Sequence, residues 1–429
     1  MGGNMKKTLI RNGYLIDPGS RLEGFYDLLI ENNKIERIEK DIKYSKNVNI
    51  IDGKNKYIVP GFIDLQVNPG NSIEYISDIL PFCGITTPLV MPCNVLGKPF
   101  LTYYEGLENM LKSCEGLRVN IANAISIEPP DTGGHETYMQ LAVDMDSIEE
   151  RVLELIQLGV TAVGEVVLPL GGLAHISSDM SREFLDRLLD VTEKYDMPIL
   201  LHTGAGINGI KEAVEVSKGR RLHICHIGST CSQDNIHEAI TLISRNENIT
   251  SDTHLSEVAG SNSKESKLVI DYYNKGEVVN IDKDTLKITT VRNLETANPP
   301  YYYNKVNLFE NNITCALSER INAIESDDLG DGIRARILLK NFFRLVNSTE
   351  MEHIKVKFIK KLVKKLTYNP AQILNIDRGI LKEGSYADIV LLDLENEKVD
   401  TVLVNGEIVL DNGKLTDNKP GKRIEFKSK

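Results

Sequence analysis

From residue 61 onward the chain repeats one pattern: a short apolar run of strand length, then a longer amphipathic stretch. The runs are GFIDLQV, TTPLVMPC, RVNIANAISI, TAVGEVV, PILLHT, LHICHIG, ITSDTHL and INAIESDD, eight in all. Strands alternating with helix-length stretches build parallel βα units, and eight such units close into an α/β fold of the (β/α)8 TIM barrel type. The stretch SREFLDRLLDVTEKY is typical of the helices: Ser181 is placed to cap its N-terminus, and Leu185, Leu188 and Leu189 share one face. Residues 256 to about 310 break the alternation and read as a β-containing insertion between strands seven and eight, closed by Tyr301, Tyr302 and Tyr303. An insertion at that point sits over the C-terminal face of a barrel.

The two chain ends follow a different rule. TLIRNGYLID, DLLIENNKIERIE and NVNIIDGKNKYIVP near one end, and ADIVLLDLENEKVDTVLVNGEIVLDNG near the other, alternate with period two and are punctuated by Asn-Gly, Asn-Asn or Asp-Gly. That is the signature of hairpins. Residues 1–59 and 376–429 are therefore expected to pair into one small β-sandwich domain, with the barrel over residues 60–375. A length of 429 residues suits a barrel with a satellite better than a single ordinary core. With 41% hydrophobic and 26% charged residues, extended disorder is excluded. The net charge of −11 argues against nucleic acid and anionic lipid as partners. No apolar run reaches the ~20 residues of a membrane helix. The opening MGGNMKKTLIRNGYLID lacks the apolar block of a signal peptide, so a cytoplasmic protein is expected. Cys83, Cys93, Cys114, Cys225, Cys231 and Cys315 include no CxxC pair and are expected as reduced thiols.

Barrel enzymes carry their reacting groups at the C-terminal ends of the strands. Strand one ends in Gln66 and Asn68, strand four in Glu165, strand five in His202, strand six in His226, strand seven in His254 and strand eight in Asp327. The chain has only eight histidines, and three of them end three successive strands. A carboxylate and two imidazoles from neighbouring strands suit a zinc-like divalent ion with one position left for water. Glu165, His202 and His226 are the candidate ligands. His223 competes with His226, but three residues apart on a strand the two are expected on opposite faces, which favours the one nearer the strand end.

These residues resemble the amidohydrolase superfamily of metal-dependent hydrolases. The resemblance rests on Pro60-Gly61-Phe62-Ile63-Asp64, Leu201-His202, Cys225-His226, Ser326-Asp327, Asn369-Pro370-Ala371-Gln372-Ile373-Leu374 and Gly384-Ser385-Tyr386-Ala387-Asp388-Ile389-Val390, and it covers almost the whole chain. Most members carry His-x-His at the end of strand one, where this chain has Gln66-Val67-Asn68. Carboxamides are weak ligands for a transition metal, which argues against the two-metal site of dihydroorotase-like members. Glu165 at strand four likewise argues against a carboxylated lysine bridge. Gln-x-Asn with a strand-four Glu is similar to the N-acetylglucosamine-6-phosphate deacetylases, and this implies one ion, expected to be Zn2+, held by Glu165, His202 and His226. That subgroup's glycine-rich sequence after strand one is replaced by Pro69-Gly70-Asn71-Ser72, so the metal architecture is implied without the sugar-phosphate substrate.

The expected activity is hydrolysis of a C–N bond, an amide or N-acyl group of a small molecule, with a metal-activated water. Asp327 is expected to take the water's proton and return it to the departing nitrogen, while His254 holds the carbonyl from the other side. Gln66 and Asn68 are expected to hydrogen-bond substrate. Deamination uses the same parts. An inactive amidohydrolase-like scaffold is the alternative from another class, and four convergent polar residues that are costly to bury without a role stand against it. A homodimer is the expected assembly. Arg292, Arg320 and Arg334 are candidates for a substrate anion, with surface charge as the plainer reading. His135 and His175 read as loop surface, Gly204-Ala205-Gly206 as a strand-to-helix turn, and KVKFIKKLVKKL as a helix with a solvated face that packs Phe358, Leu362 and Leu366 inward.

Overall fold

The computed structural model describes residues 7–427 except 45–47, 71, 92–104, 130–139, 168–180, 204–205, 262–263, 265–266 and 306. Seven parallel strands run in one curled sheet in the order Phe62–Val67, Ile85–Val90, Ala122–Glu128, Ala162–Val167, Ile199–His202, Leu222–Ile224 and Ile249–Ser251. The short strand Gln140–Ala142 lies beside the third. The eighth run, INAIESDD, closes the ring through isolated parallel bridges, His254 with Glu325 and Val67 with Asp328, instead of a regular strand. Two features interrupt the ladder there. Asp327 has a left-handed backbone (φ 49°), and the Ser326 amide donates to the Asp64 carboxylate at 3.0 Å. Glu325 N to Thr253 O at 3.2 Å and Asn68 N to Asp328 O at 2.8 Å still join it to both neighbours.

Side chains divide as the strand period demands. Ile63, Leu65, Leu89, Ala124, Ala162, Leu200, Cys225 and Ala323 fill the barrel, plugged by Ala371, Leu374 and Ile424, while Phe62, Val163, Ile199, Leu201, Leu222 and Ile224 face the helices. The helix Arg182–Lys194 is capped by Ser181, whose side chain accepts from Phe184 N at 3.1 Å, and it buries Leu185, Leu188 and Leu189. The helix Glu352–Leu366 departs from expectation. It buries Ile359, Leu362, Val363 and Leu366, but Phe358 is only partly buried. One of its lysines, Lys365, is also buried, donating to the carbonyls of Cys315 and Ser318 at the end of the helix Leu308–Leu317. Burial lowers the Lys365 amine to about 7.

Both chain ends enter one seven-stranded sheet: Lys414–Leu415, Glu407–Asp411, Lys398–Val404, Ile389–Asp393, Tyr57–Pro60, Tyr14–Asp17 and Leu22–Phe25. Ile389–Asp393 pairs antiparallel with Tyr57–Pro60, which leads directly into the barrel. A four-stranded sheet of Lys34–Glu39, Asp27–Glu31, Lys7–Arg11 and Asn49–Asp52 comes from the N-terminal segment alone. Between the seventh strand and the closing run, Val258–Ser261, Tyr301–Asn304, Val278–Ile281 and Ile288–Thr290 form a further sheet, with Tyr301, Tyr302 and Tyr303 buried. Among the described residues, no helix is long and apolar enough to cross a membrane.

Candidate metal centre and active site

Local departures from regular strand geometry aim the polar strand ends at one place. In the first strand the register slips between Asp64 and Val67, and in the fourth between Val163 and Val166. An extra residue in a strand re-aims its neighbours: Val163 and Val166 both face the helices, and Glu165 between them turns inward. Gly164 makes this possible. Its φ is 151°, and a side chain there would meet Leu200 Cβ and O at 3.0 Å. His226 follows the sixth strand with φ 32°.

The result is a tight cluster. Glu165 Oε1 lies 3.1 Å from His202 Nδ1 and 3.0 Å from His226 Nε2, and Glu165 Oε2 accepts from Gln66 Nε2 at 3.1 Å. One ligand atom from each of Glu165, His202 and His226 lies within 4.8 Å of the others. One carboxylate oxygen and two imidazole nitrogens, so gathered, are a donor set for a zinc-like divalent ion. Burial resists ionisation of Glu165, yet the two imidazoles outweigh it and hold its carboxyl far below the usual range. At His226 burial opposes protonation, but the hydrogen bond and charge of Glu165 prevail and lift it to about 9. The same field that holds a proton here favours a cation.

His223 does not point away from the barrel as the face argument expects. It shares the face of Cys225, a barrel-filling residue, and both its ring nitrogens are engaged, Nδ1 with Thr250 Oγ1 and Nε2 with Asp252 Oδ2, each at 2.9 Å. The left-handed backbone at His226, not strand alternation, separates the two histidines. The parity rule failed because the strand has ended at Ile224.

Beside this cluster, the His254 ring stacks 6.2 Å from that of His226. Asp327, with its side chain 21% exposed, places Oδ2 3.6 Å from His254 Nδ1 and 2.6 Å from Arg334 Nη1. The first distance is too long for a hydrogen bond, and the second is an ion pair whose N–H is not aimed along the contact. Burial works against the Asp327 anion, but Arg334 and His254 overcome it and lower its carboxyl to about 2. Arg334 is fully buried, which removes it from the surface and from the role of an open anion site. Arg320 bonds Ser244 Oγ on an outer helix, and Arg292 is exposed in the insertion. Asn68 directs Oδ1 to its own loop, accepting from Gly70 N at 2.9 Å. Asp328 serves the backbone: Oδ1 accepts from the amides of Gly330, Asp331 and Gly332, and Oδ2 from Ala335. His135, His175, Gly204, Ala205, Asn71 and Cys93 lie outside the described residues.

Two buried acids were not among the candidate site residues, although Asp64 belongs to the motif at strand one. Asp64 and Glu325 are fully enclosed in the barrel wall, and burial pushes Asp64 up to about 7 and Glu325 well above its ordinary value. The signal was present, since an acid inside an apolar strand is expensive to bury. Among the described residues, Glu325 Oε1 and Oε2, Asp64 Oδ2, Gln66 Oε1, His226 Nδ1 and His254 Nε2 are buried with no hydrogen-bond partner.

The sequence model of the amidohydrolase family matches residues 57–409. A dihydroorotase of Lactococcus lactis is 26% identical over 91% of this chain and 90% of its own length. A 5'-deoxyadenosine deaminase of Methanococcus aeolicus is 23% identical over 91% of each. In structure, the chain is similar to the N-acyl-D-glutamate deacylase of Bordetella bronchiseptica, with a TM-score of 0.70 at 14% identity over 99% of this chain and all of that one. With a match of this extent to the family, the chain belongs to the amidohydrolases.

Proposed function

We propose that this protein is a metal-dependent hydrolase of a C–N bond in a small molecule, an amide or N-acyl group, and that it uses one zinc ion. The convergence of Glu165 Oε1, His202 Nδ1 and His226 Nε2 next to an ionised Asp327 carries this reading. The carboxamides at strand one support a single ion: Gln66 donates to the second oxygen of Glu165, orienting that carboxylate instead of adding a ligand. When bound, the ion would supply Lewis-acid polarisation of the substrate carbonyl and activation of water.

The chain's own residues divide the remaining work. Asp327, kept as an anion by Arg334, is the proton acceptor and later the donor to the departing nitrogen. His254 faces the same space and holds the substrate oxygen as charge develops. Gln66 and Asn68 border the site from strand one. The deaminase relative keeps attack at an amidine-like carbon as the second reading. Elemental analysis of the purified protein, followed by zinc titration and a screen of N-acyl and cyclic amide substrates, tests the proposal. About one tight ion per chain is expected, whereas two tight ions of comparable affinity would exclude the single-ion reading.

A further inference from the structure

Arg334 lies on the helix Ile333–Val346 that follows the closing run of the barrel, and the ion pair that keeps Asp327 anionic accounts for only one of its two short contacts. Among the described residues Arg334 is the largest fully buried side chain. Its Nη2 lies 2.7 Å from His254 Nδ1, and its Nη1 lies 2.6 Å from Asp327 Oδ2. A guanidinium has only donors and keeps its protons at any accessible pH. A contact of 2.7 Å between it and an imidazole nitrogen is therefore a hydrogen bond only if that nitrogen carries the lone pair. The ring proton of a neutral His254 is then left on Nε2, the nitrogen that is buried without a partner among the described residues.

We propose that Arg334 is a positioning residue that fixes His254 as an Nε2–H hydrogen-bond donor, and so bars it from acting as a base at that nitrogen. The role of this donor toward substrate rests on the hydrolase reading; the tautomer itself does not. A second ring proton on Nδ1 would set two donors against each other at 2.7 Å, so the neutral form is the working form. Without Arg334 the ionised acceptor near Nδ1 would be Asp327 Oδ2 at 3.6 Å. Carboxylates favour the opposite tautomer, with the proton on Nδ1 and a lone pair presented by Nε2. One buried arginine thus decides whether His254 offers the site a proton or a lone pair.

The test is 15N NMR of zinc-loaded protein labelled at histidine, with the His254 signals assigned by their loss in His254→Gln. The expected result at neutral pH is a lone-pair-type Nδ1 and a protonated Nε2. A protonated Nδ1, or a ring protonated on both nitrogens, overturns the proposal without any variant having to fold. In Arg334→Met the proton should move to Nδ1, and an unchanged tautomer would remove Arg334 from its assigned role. With a substrate in hand, Arg334→Met should lower kcat by ~10²- to 10³-fold, the range for losing one oriented donor. The loss should be smaller in a His254→Gln background, whose carboxamide keeps a donor that has no tautomer to lose, and the remainder reports the lost ion pair with Asp327. If the tautomer is as proposed and no C–N bond is hydrolysed, the hydrolase reading fails and the role of Arg334 in fixing the tautomer stands.

Discussion

The two ends of the barrel bury similar polar groups and satisfy them to different degrees: at the N-terminal end Arg378 Nε and Asn123 Nδ2 lack hydrogen bonds among the described residues, but a connected network holds the rest. At the N-terminal end, Asn120 donates to Asp388 Oδ2 at 3.0 Å and accepts from Asn405 Nδ2 at 2.7 Å and from Lys422 N at 3.1 Å. Asp388 also accepts from Asn405 N and pairs with Arg378 at 2.9 Å. The C-terminal tail completes this end, with Ile424 N donating to Ile121 O at 2.8 Å and Thr161 Oγ1 to Ile424 O at 2.8 Å. At the opposite end, Glu325, Asp64, Gln66, His226 and His254 keep buried atoms without partners. An unmet buried polar group costs ~1–3 kcal/mol. One end is organised for stability, and the other leaves unmet polar atoms on the side chains around the proposed metal and substrate site.

The comparison can be broken at either end. Deleting residues 385–429 should have the largest effect, because it strips partners from Tyr57–Pro60 and opens the barrel floor; insoluble protein is expected, and a soluble, active truncation would refute the shared sheet. Ala at Glu165, His202 or His226 should remove most bound metal and with it activity, while circular dichroism reports an intact barrel. Full metal content in all three variants would sink the ligand assignment. Asp327→Asn should lower kcat by ~10²- to 10⁴-fold with metal content little changed. Its neighbour Asp328 holds four backbone amides, so Asp328→Asn should lower Tm more than it lowers kcat per folded molecule.

At the N-terminal end, Asn120→Ala should cost ~1–3 kcal/mol of stability by denaturant titration and leave kcat and metal stoichiometry unchanged. A variant that loses activity without losing stability would abolish the distinction between the ends. The smallest effect concerns Glu325. Burial, with Asp252, Asp327 and Asp64 nearby, raises its carboxyl well above its ordinary value of 4.5. The folded state therefore keeps a proton that the unfolded chain releases, and stability falls as pH rises from that value toward the folded one. Glu325→Gln should flatten this slope and raise Tm at mildly alkaline pH. A steeper slope would mean that Glu325 is ionised in the folded protein.

Much of this was legible because it depends on local pattern. The period of apolar residues marked the barrel strands, Ser181 marked a helix start, and histidines at successive strand ends marked the candidate metal centre. Where the reading slipped, a long-range partner had intervened. The residues of KVKFIKKLVKKL looked alike, yet the carbonyls of Cys315 and Ser318 drew Lys365 inward. His223 and His226 were separated by strand parity, which ceased to apply once the strand ended.

The sequence by itself determined which elements form and which residue types stand at their ends, because both follow from periodicity and spacing along the chain. Tertiary structure alone decided where those residues point. The register slips beside Gln66 and Glu165, the left-handed turns at His226 and Asp327, and the burial of Arg334 between His254 and Asp327 depend on strands and helices far apart in sequence. A hydrogen bond spanning 80 positions, from Arg334 to His254, exists only once the barrel has closed.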